Sequence, residues 1–126
     1  ITKNHHSGLM LPGGFCDVGS PSDEHDASRE IEEETGLIIE EDAWFYVGSR
    51  KITDDWRYMH EEDEMRTRLF TARYTGQWEP VAGDDAATAG FVDVGSITRE
   101  DFHLNHQPLF DMLKASTLPT LRVALN

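Results

Sequence analysis

Between Leu9 and Leu37 the chain reads LMLPGGFCDVGSPSDEHDASREIEEETGL, and the second half of that stretch is a helix marked at both ends. Ser20 or Ser22 can cap its start, Pro21 suits a first-turn position, and Gly36 can close it in the left-handed conformation. Within it Glu30 and Glu33 stand three apart and Glu30 and Glu34 four apart, spacings that put carboxylates on one face. Ala27 and Ile31 mark an inner face, and Glu34 is expected on the solvent side. Three acids on one turn repel one another at neutral pH. A divalent cation would relieve that repulsion, and hard oxygen ligands suit Mg²⁺ or Mn²⁺. Upstream, Pro12-Gly13-Gly14 lets backbone approach a neighbour closely.

Gly14, Arg29, Glu30, Ile31, Glu33, Glu34, Gly36 and Leu37 together resemble the box of the Nudix hydrolases, G-x5-E-x7-R-E-U-x-E-E-x-G-U with U aliphatic. Eight typed positions agree in order. The departure is at the first glutamate: counting forward it falls on Ser20, counting back on Pro21, and the loop is one residue longer than the box. Asp17, Asp23 and Glu24 are the nearby acids that can compensate. The resemblance covers nearly all of residues 1–115, expected to be the catalytic domain, with 116–126 as a C-terminal tail.

A chain of 126 residues makes one domain. Its net charge of −13 disfavours nucleic acid and anionic membranes as partners. An anionic substrate therefore needs local positive charge. The single Cys16 excludes an internal disulfide and fits a reducing, cytoplasmic compartment. No apolar run is long enough to span a bilayer. The family has a strand where this chain starts, so the natural protein is expected to continue before Ile1. Either one more strand or a fused N-terminal domain would supply it, and a homodimer is also open.

Residues 1–8 read as the end of a strand and a turn, with His5 and His6 as exposed loop residues. Leu9-Met10-Leu11 reads as a short strand, as do the aromatic run Trp44–Gly48, the stretch Arg66–Tyr74, and Phe91–Val94. Arg50, Lys51, Trp56, Arg57 and Tyr58 form the basic and aromatic cluster of an acidic chain. It is either an ordinary surface loop or a grip for phosphates and a stacking face for a base or sugar. Glu61, Glu62 and Glu64 lie in an acidic loop. Residues 105–115 read as a closing helix with Leu109, Met112 and Leu113 on one face, and Phe110 and Met112 as core.

The phrase Ala82-Gly83-Asp84-Asp85-Ala86 before an aromatic-Val-Asp segment is similar to the ADP-ribose pyrophosphatase branches of Nudix. Among these is the Nudix half of bifunctional nicotinamide-mononucleotide adenylyltransferases. The resemblance implies an α/β fold, the Nudix α/β/α sandwich with a mixed central sheet. It implies Mg²⁺- or Mn²⁺-dependent hydrolysis of a nucleoside diphosphate derivative, foremost ADP-ribose to AMP and ribose 5-phosphate. Glu30, Glu33, Glu34 and the Gly14 carbonyl would hold the metal, with Arg29 orienting Glu30 and one of Glu61, Glu62 and Glu64, represented by Glu62, positioning water. Arg50, Trp56, Arg57 and Asp84 would bind the nucleotide. A non-catalytic ADP-ribose sensor, or a hydrolase of nucleoside triphosphates or dinucleoside polyphosphates, are the alternatives.

Overall fold

The computed structural model describes residues 1–3, 7–14, 19–52 and 65–125. It is an α/β chain. Strand β1 is Thr2–Lys3, helix α1 Asp23–Thr35, strand β2 Phe45–Ile52, strand β3 Met65–Thr71, strand β4 Ala86–Thr88 and helix α2 Gln107–Leu125. Among the described residues no helix is long and apolar enough to cross a membrane.

Helix α1 is bounded by local chemistry. Ser22 is the N-cap, and its hydroxyl accepts from the His25 N–H at 3.1 Å. Ser20 does not cap; its hydroxyl donates to Asp26 Oδ2 at 2.7 Å. Gly36, at φ 76°, closes the helix, and its N–H donates to the Glu32 carbonyl at 2.8 Å. The last carbonyls of a helix need partners from outside it. Here an irregular segment supplies them: the Val81 N–H donates to Thr35 O at 2.8 Å and the Gly83 N–H to Glu34 O at 3.1 Å. A Cβ on Gly83 would run into the Glu33 carbonyl oxygen. Gly83→Ala should therefore push this segment off the helix end. The expected cost is about 1–3 kcal/mol, the usual range for overpacking, read as a lower denaturant midpoint; an unchanged midpoint would contradict this packing.

The strands pair as two antiparallel ribbons, β1 with β4 and β2 with β3. In the second, Tyr46 faces Phe70, Arg50 faces Thr67, and the register shifts between Tyr46 and Gly48. The aromatic and β-branched run that reads as a strand from Trp44 is thus found, starting one residue later. Trp44 Nε1 donates to Ser28 Oγ at 2.8 Å, and Ser28 Oγ donates to the Ile39 carbonyl at 2.7 Å, which ties this ribbon to α1. The mixed sheet that the resemblance implies is not assembled among the described residues.

Three local readings are corrected. Leu9-Met10-Leu11 is not a strand: Leu9 makes one parallel bridge with Phe102, and the Leu11 N–H goes to a side chain, His106 Nδ1 at 3.0 Å. Phe91–Val94 is not a strand either. Asp93 Oδ1 accepts from the Gly95 N–H at 3.0 Å and turns the chain into a 3₁₀ segment, Val94–Ser96. The strand of this region lies earlier, at Ala86–Thr88. The closing helix starts at Gln107, after a 3₁₀ turn at Leu104–His106, and continues to Leu125 through the residues read as a tail.

Among the described residues the buried apolar side chains are Leu37, Leu69, Phe102, Leu109 and Phe110. Phe110 stacks on Phe102 with centroids 4.6 Å apart and planes at 25°. The segment 99–106 carrying Phe102 also holds the N-terminal run, through Leu9 N–H to Asp101 O at 2.8 Å and His103 N–H to Leu9 O at 2.9 Å. Pro12-Gly13-Gly14 is thereby suspended beside α1.

Candidate active site

The box acids Glu30, Glu33 and Glu34 divide between two cations and one turn, while Asp23 at the start of α1 pairs with Arg68. Arg29 is the hub of the first group. Its Nη1 lies 2.9 Å from Glu30 Oε1 and 3.2 Å from Glu33 Oε2, and its Nη2 lies 3.7 Å from Asp26 Oδ1. Asp26 is buried, Glu30 is largely covered, and Glu33 is exposed. The expectation that Arg29 orients Glu30 has its geometry here. Gly14 is pressed against the Glu30 carboxylate: a Cβ at Gly14 would lie 2.5 Å from Glu30 Oε1, so any side chain there would displace that carboxylate.

Glu34 overturns one expectation. It is 1% exposed, not solvent-facing. The reason is helical phase: residues 27, 31 and 34 follow an i, i+4, i+7 stripe, so Glu34 shares the inward stripe of Ala27 and Ile31. Its Oε1 accepts from the Gly13 N–H at 2.6 Å. Its Oε2 lies 3.2 Å from Lys3 Nζ, an ion pair. The same ammonium is 3.4 Å from Asp85 Oδ2.

Burial pushes the Glu34 carboxyl above the ordinary 4.5, Asp85 adds to this, and the Gly13 N–H and Lys3 pull the other way without reversing it. Glu30 is also raised, first by burial; Arg29 opposes this, and Glu34 and Glu33 add to it. Lys3 is held above the ordinary lysine value: burial works against its charge, but Glu34 and Asp85 outweigh that. For Glu34 the folded chain binds its proton more tightly than the unfolded chain. That stabilisation is fully present below the unfolded value and is lost as pH rises through the raised folded value. In cation-free buffer, the melting temperature of the natural chain should fall relative to that of Glu34→Gln as pH rises above 4.5 toward neutrality. Parallel profiles would contradict the upward shift.

Of the remaining residues singled out in the sequence, Asp84 is exposed and takes φ 52°, the non-glycine positive φ among the described residues. Its turn sits beside α1, through the Gly83 N–H on Glu34 O and the Lys3 bridge to Asp85. Arg50 is exposed on β2 and is not among the side chains that ion-pair with the α1 acids. Trp56, Arg57 and Glu62 lie outside the described residues, as do His5, His6, Cys16 and Asp17. Sequence reasoning missed Lys3; it named Gly13 and Asp85 only as parts of a turn and of a phrase, not as partners of Glu34 and Lys3. A surface groove of about 520 Å³ just past the C-terminal end of α1, lined by Leu37, Ile38, Arg73, Tyr74 and Trp78 among others, includes none of the α1 acids.

The donor set suits a hard divalent cation: three carboxylates within about one helical turn, with bare backbone at Gly14 against one of them. Their present partners are Arg29, Lys3 and Gly13. Among the described residues no three Asp, Glu, His or Cys side chains converge as a ready cage.

An α/β chain with an acid-bearing helix packed against a glycine turn is the frame on which phosphate-ester chemistry can be built. Residues 2–113 match the family model described as NUDIX domain, and the chain belongs to that family. It is accordingly a pyrophosphohydrolase acting on nucleoside diphosphate derivatives, small-molecule nucleotides, in a family that generally uses divalent metals such as Mg²⁺. No curated protein and no solved structure matches the chain significantly.

Proposed function

We propose that this chain hydrolyses ADP-ribose to AMP and ribose 5-phosphate with Mg²⁺ or Mn²⁺. The observation that carries the reading is the meeting of segments at Glu34. Its buried carboxylate joins α1 to the Pro12–Gly14 turn through Gly13 and to β1 through Lys3. Its backbone carbonyl takes the Gly83 N–H of the Asp84 turn. A glutamate with those neighbours holds fixed geometry, and fixed geometry is what positioning a diphosphate against water requires.

In this reading Glu30, Glu33 and Glu34, with the Gly14 carbonyl, hold the metal. When bound, the cation neutralises the diphosphate and lowers the pKa of the attacking water. Water adds to one phosphorus, the bridging P–O bond breaks, and the other phosphate leaves. Arg29 keeps Glu30 oriented. Glu62 positions the water; Arg50 and Arg57 grip phosphate or ribose; Trp56 stacks on the base or packs on a sugar; Asp84 presents its carboxylate from the turn. The Nudix α/β/α sandwich with a mixed central sheet is the frame proposed for these parts.

The choice of ADP-ribose rests on the Ala82–Ala86 phrase and on charge. A chain at −13 repels a triphosphate more than a diphosphate carrying two neutral riboses. The test is kcat/KM across ADP-ribose, ATP and a diadenosine polyphosphate. ADP-ribose is expected to lead; a tenfold advantage for either of the others would overturn the substrate while leaving the family intact.

A further inference from the structure

We propose that Lys3 is the internal counter-cation of Glu34 and competes with a divalent ion for that carboxylate. The inference rests on the reading of Glu34 as a cation ligand. Three observations on a residue outside the box support it.

The first is need. Glu34 is almost wholly buried, and a buried carboxylate requires compensation by charge. Gly13 serves Oε1 with a hydrogen bond, and Oε2 is faced by the Lys3 ammonium at 3.2 Å. Lys3 therefore supplies at Oε2 the kind of charge that a divalent ion would supply.

The second is placement. Lys3 is fixed by pairing of β1 with β4, Thr2 opposite Thr88 and Lys3 opposite Ala86, with the two threonine hydroxyls 2.6 Å apart. Its backbone is held, and its four-carbon stem reaches both Glu34 and Asp85.

The third is a second resting place. The same Nζ lies 3.4 Å from Asp85 Oδ2, whose side chain is 62% exposed. When a divalent ion takes Glu34, the ammonium can move fully onto Asp85, toward solvent, and is not stranded beside a like charge in a poorly screened interior. A lysine ammonium is a compact point charge on a flexible stem and suits such a transfer better than a planar guanidinium.

The test is Mn²⁺ binding by calorimetry or electron paramagnetic resonance, together with thermal unfolding without added ion. Lys3→Gln should bind Mn²⁺ about tenfold more tightly, as removal of a nearby like charge predicts, and should melt lower in the absence of ion. Lys3→Arg should bind within about twofold of the natural chain, since the charge is kept. The opposite signs are diagnostic, because a merely structural lysine would weaken both. Lys3→Met serves if Lys3→Gln does not fold. Failure of both to fold even in millimolar Mn²⁺ would overturn the proposal, since the ion should replace the lost charge. Equal or weaker Mn²⁺ binding by the neutral variants overturns it alone. No Mn²⁺ binding by any form overturns both it and the metal-dependent reading.

Discussion

Glu34→Gln should lower turnover at least about a thousandfold, some 4 kcal/mol in barrier, while the chain stays folded. The amide oxygen can keep the Gly13 N–H that Oε1 accepts now, so the turn stays docked. What is lost is the negative charge, which hydrogen bonding alone does not need but a cation does. Folding should change little. The substitution removes a buried carboxylate and its desolvation cost, and Lys3 retains Asp85 as a partner. Glu33→Gln provides the comparison: its carboxylate is exposed and already shared with Arg29, so its loss is expected to be smaller. Turnover of Glu34→Gln within tenfold of the natural chain, in ordinary Mg²⁺, would remove Glu34 from the site.

The largest expected effect on stability belongs to Phe110→Ala. Phe110 is 2% exposed and stacked on Phe102, in a core whose buried apolar members among the described residues are few. Truncating a buried phenylalanine costs about 3–5 kcal/mol, against a total that for such domains is about 5–15 kcal/mol. Denaturant unfolding should show a midpoint drop of that size. The damage should spread to the site, because Phe102 lies in the segment that holds Leu9 and, through His106, Leu11. A change below about 1 kcal/mol, typical of a surface position, would contradict the packing described.

The features legible in the sequence were those set by neighbours along the chain. Ser22 and Gly36 cap α1 because a hydroxyl and a positive φ act within one turn. The ribbon of β2 and β3 announces itself by aromatic and β-branched residues. The failures have non-local or competing causes. Phe91-Val92-Asp93-Val94 has strand composition, but the Asp93 side chain offers the backbone a turn instead. Glu34 was assigned to the acidic face by its neighbours, although its phase with Ala27 and Ile31 points it inward. Lys3 was invisible because its significance depends on β1 meeting β4 across 86 residues, as the Thr2–Thr88 contact does. The Nudix box thus marks the acids of the site, but not which of them is buried or what neutralises it.

Metal-dependent hydrolysis at the α1 acids is read out by mixing the natural chain with ADP-ribose and following both binding and AMP release. With Mg²⁺ present, stoichiometric AMP and ribose 5-phosphate are expected over many turnovers, and none after chelation. Tight binding of ADP-ribose in Mg²⁺ or Mn²⁺ with no AMP formed would contradict it, and would make the chain a nucleotide sensor.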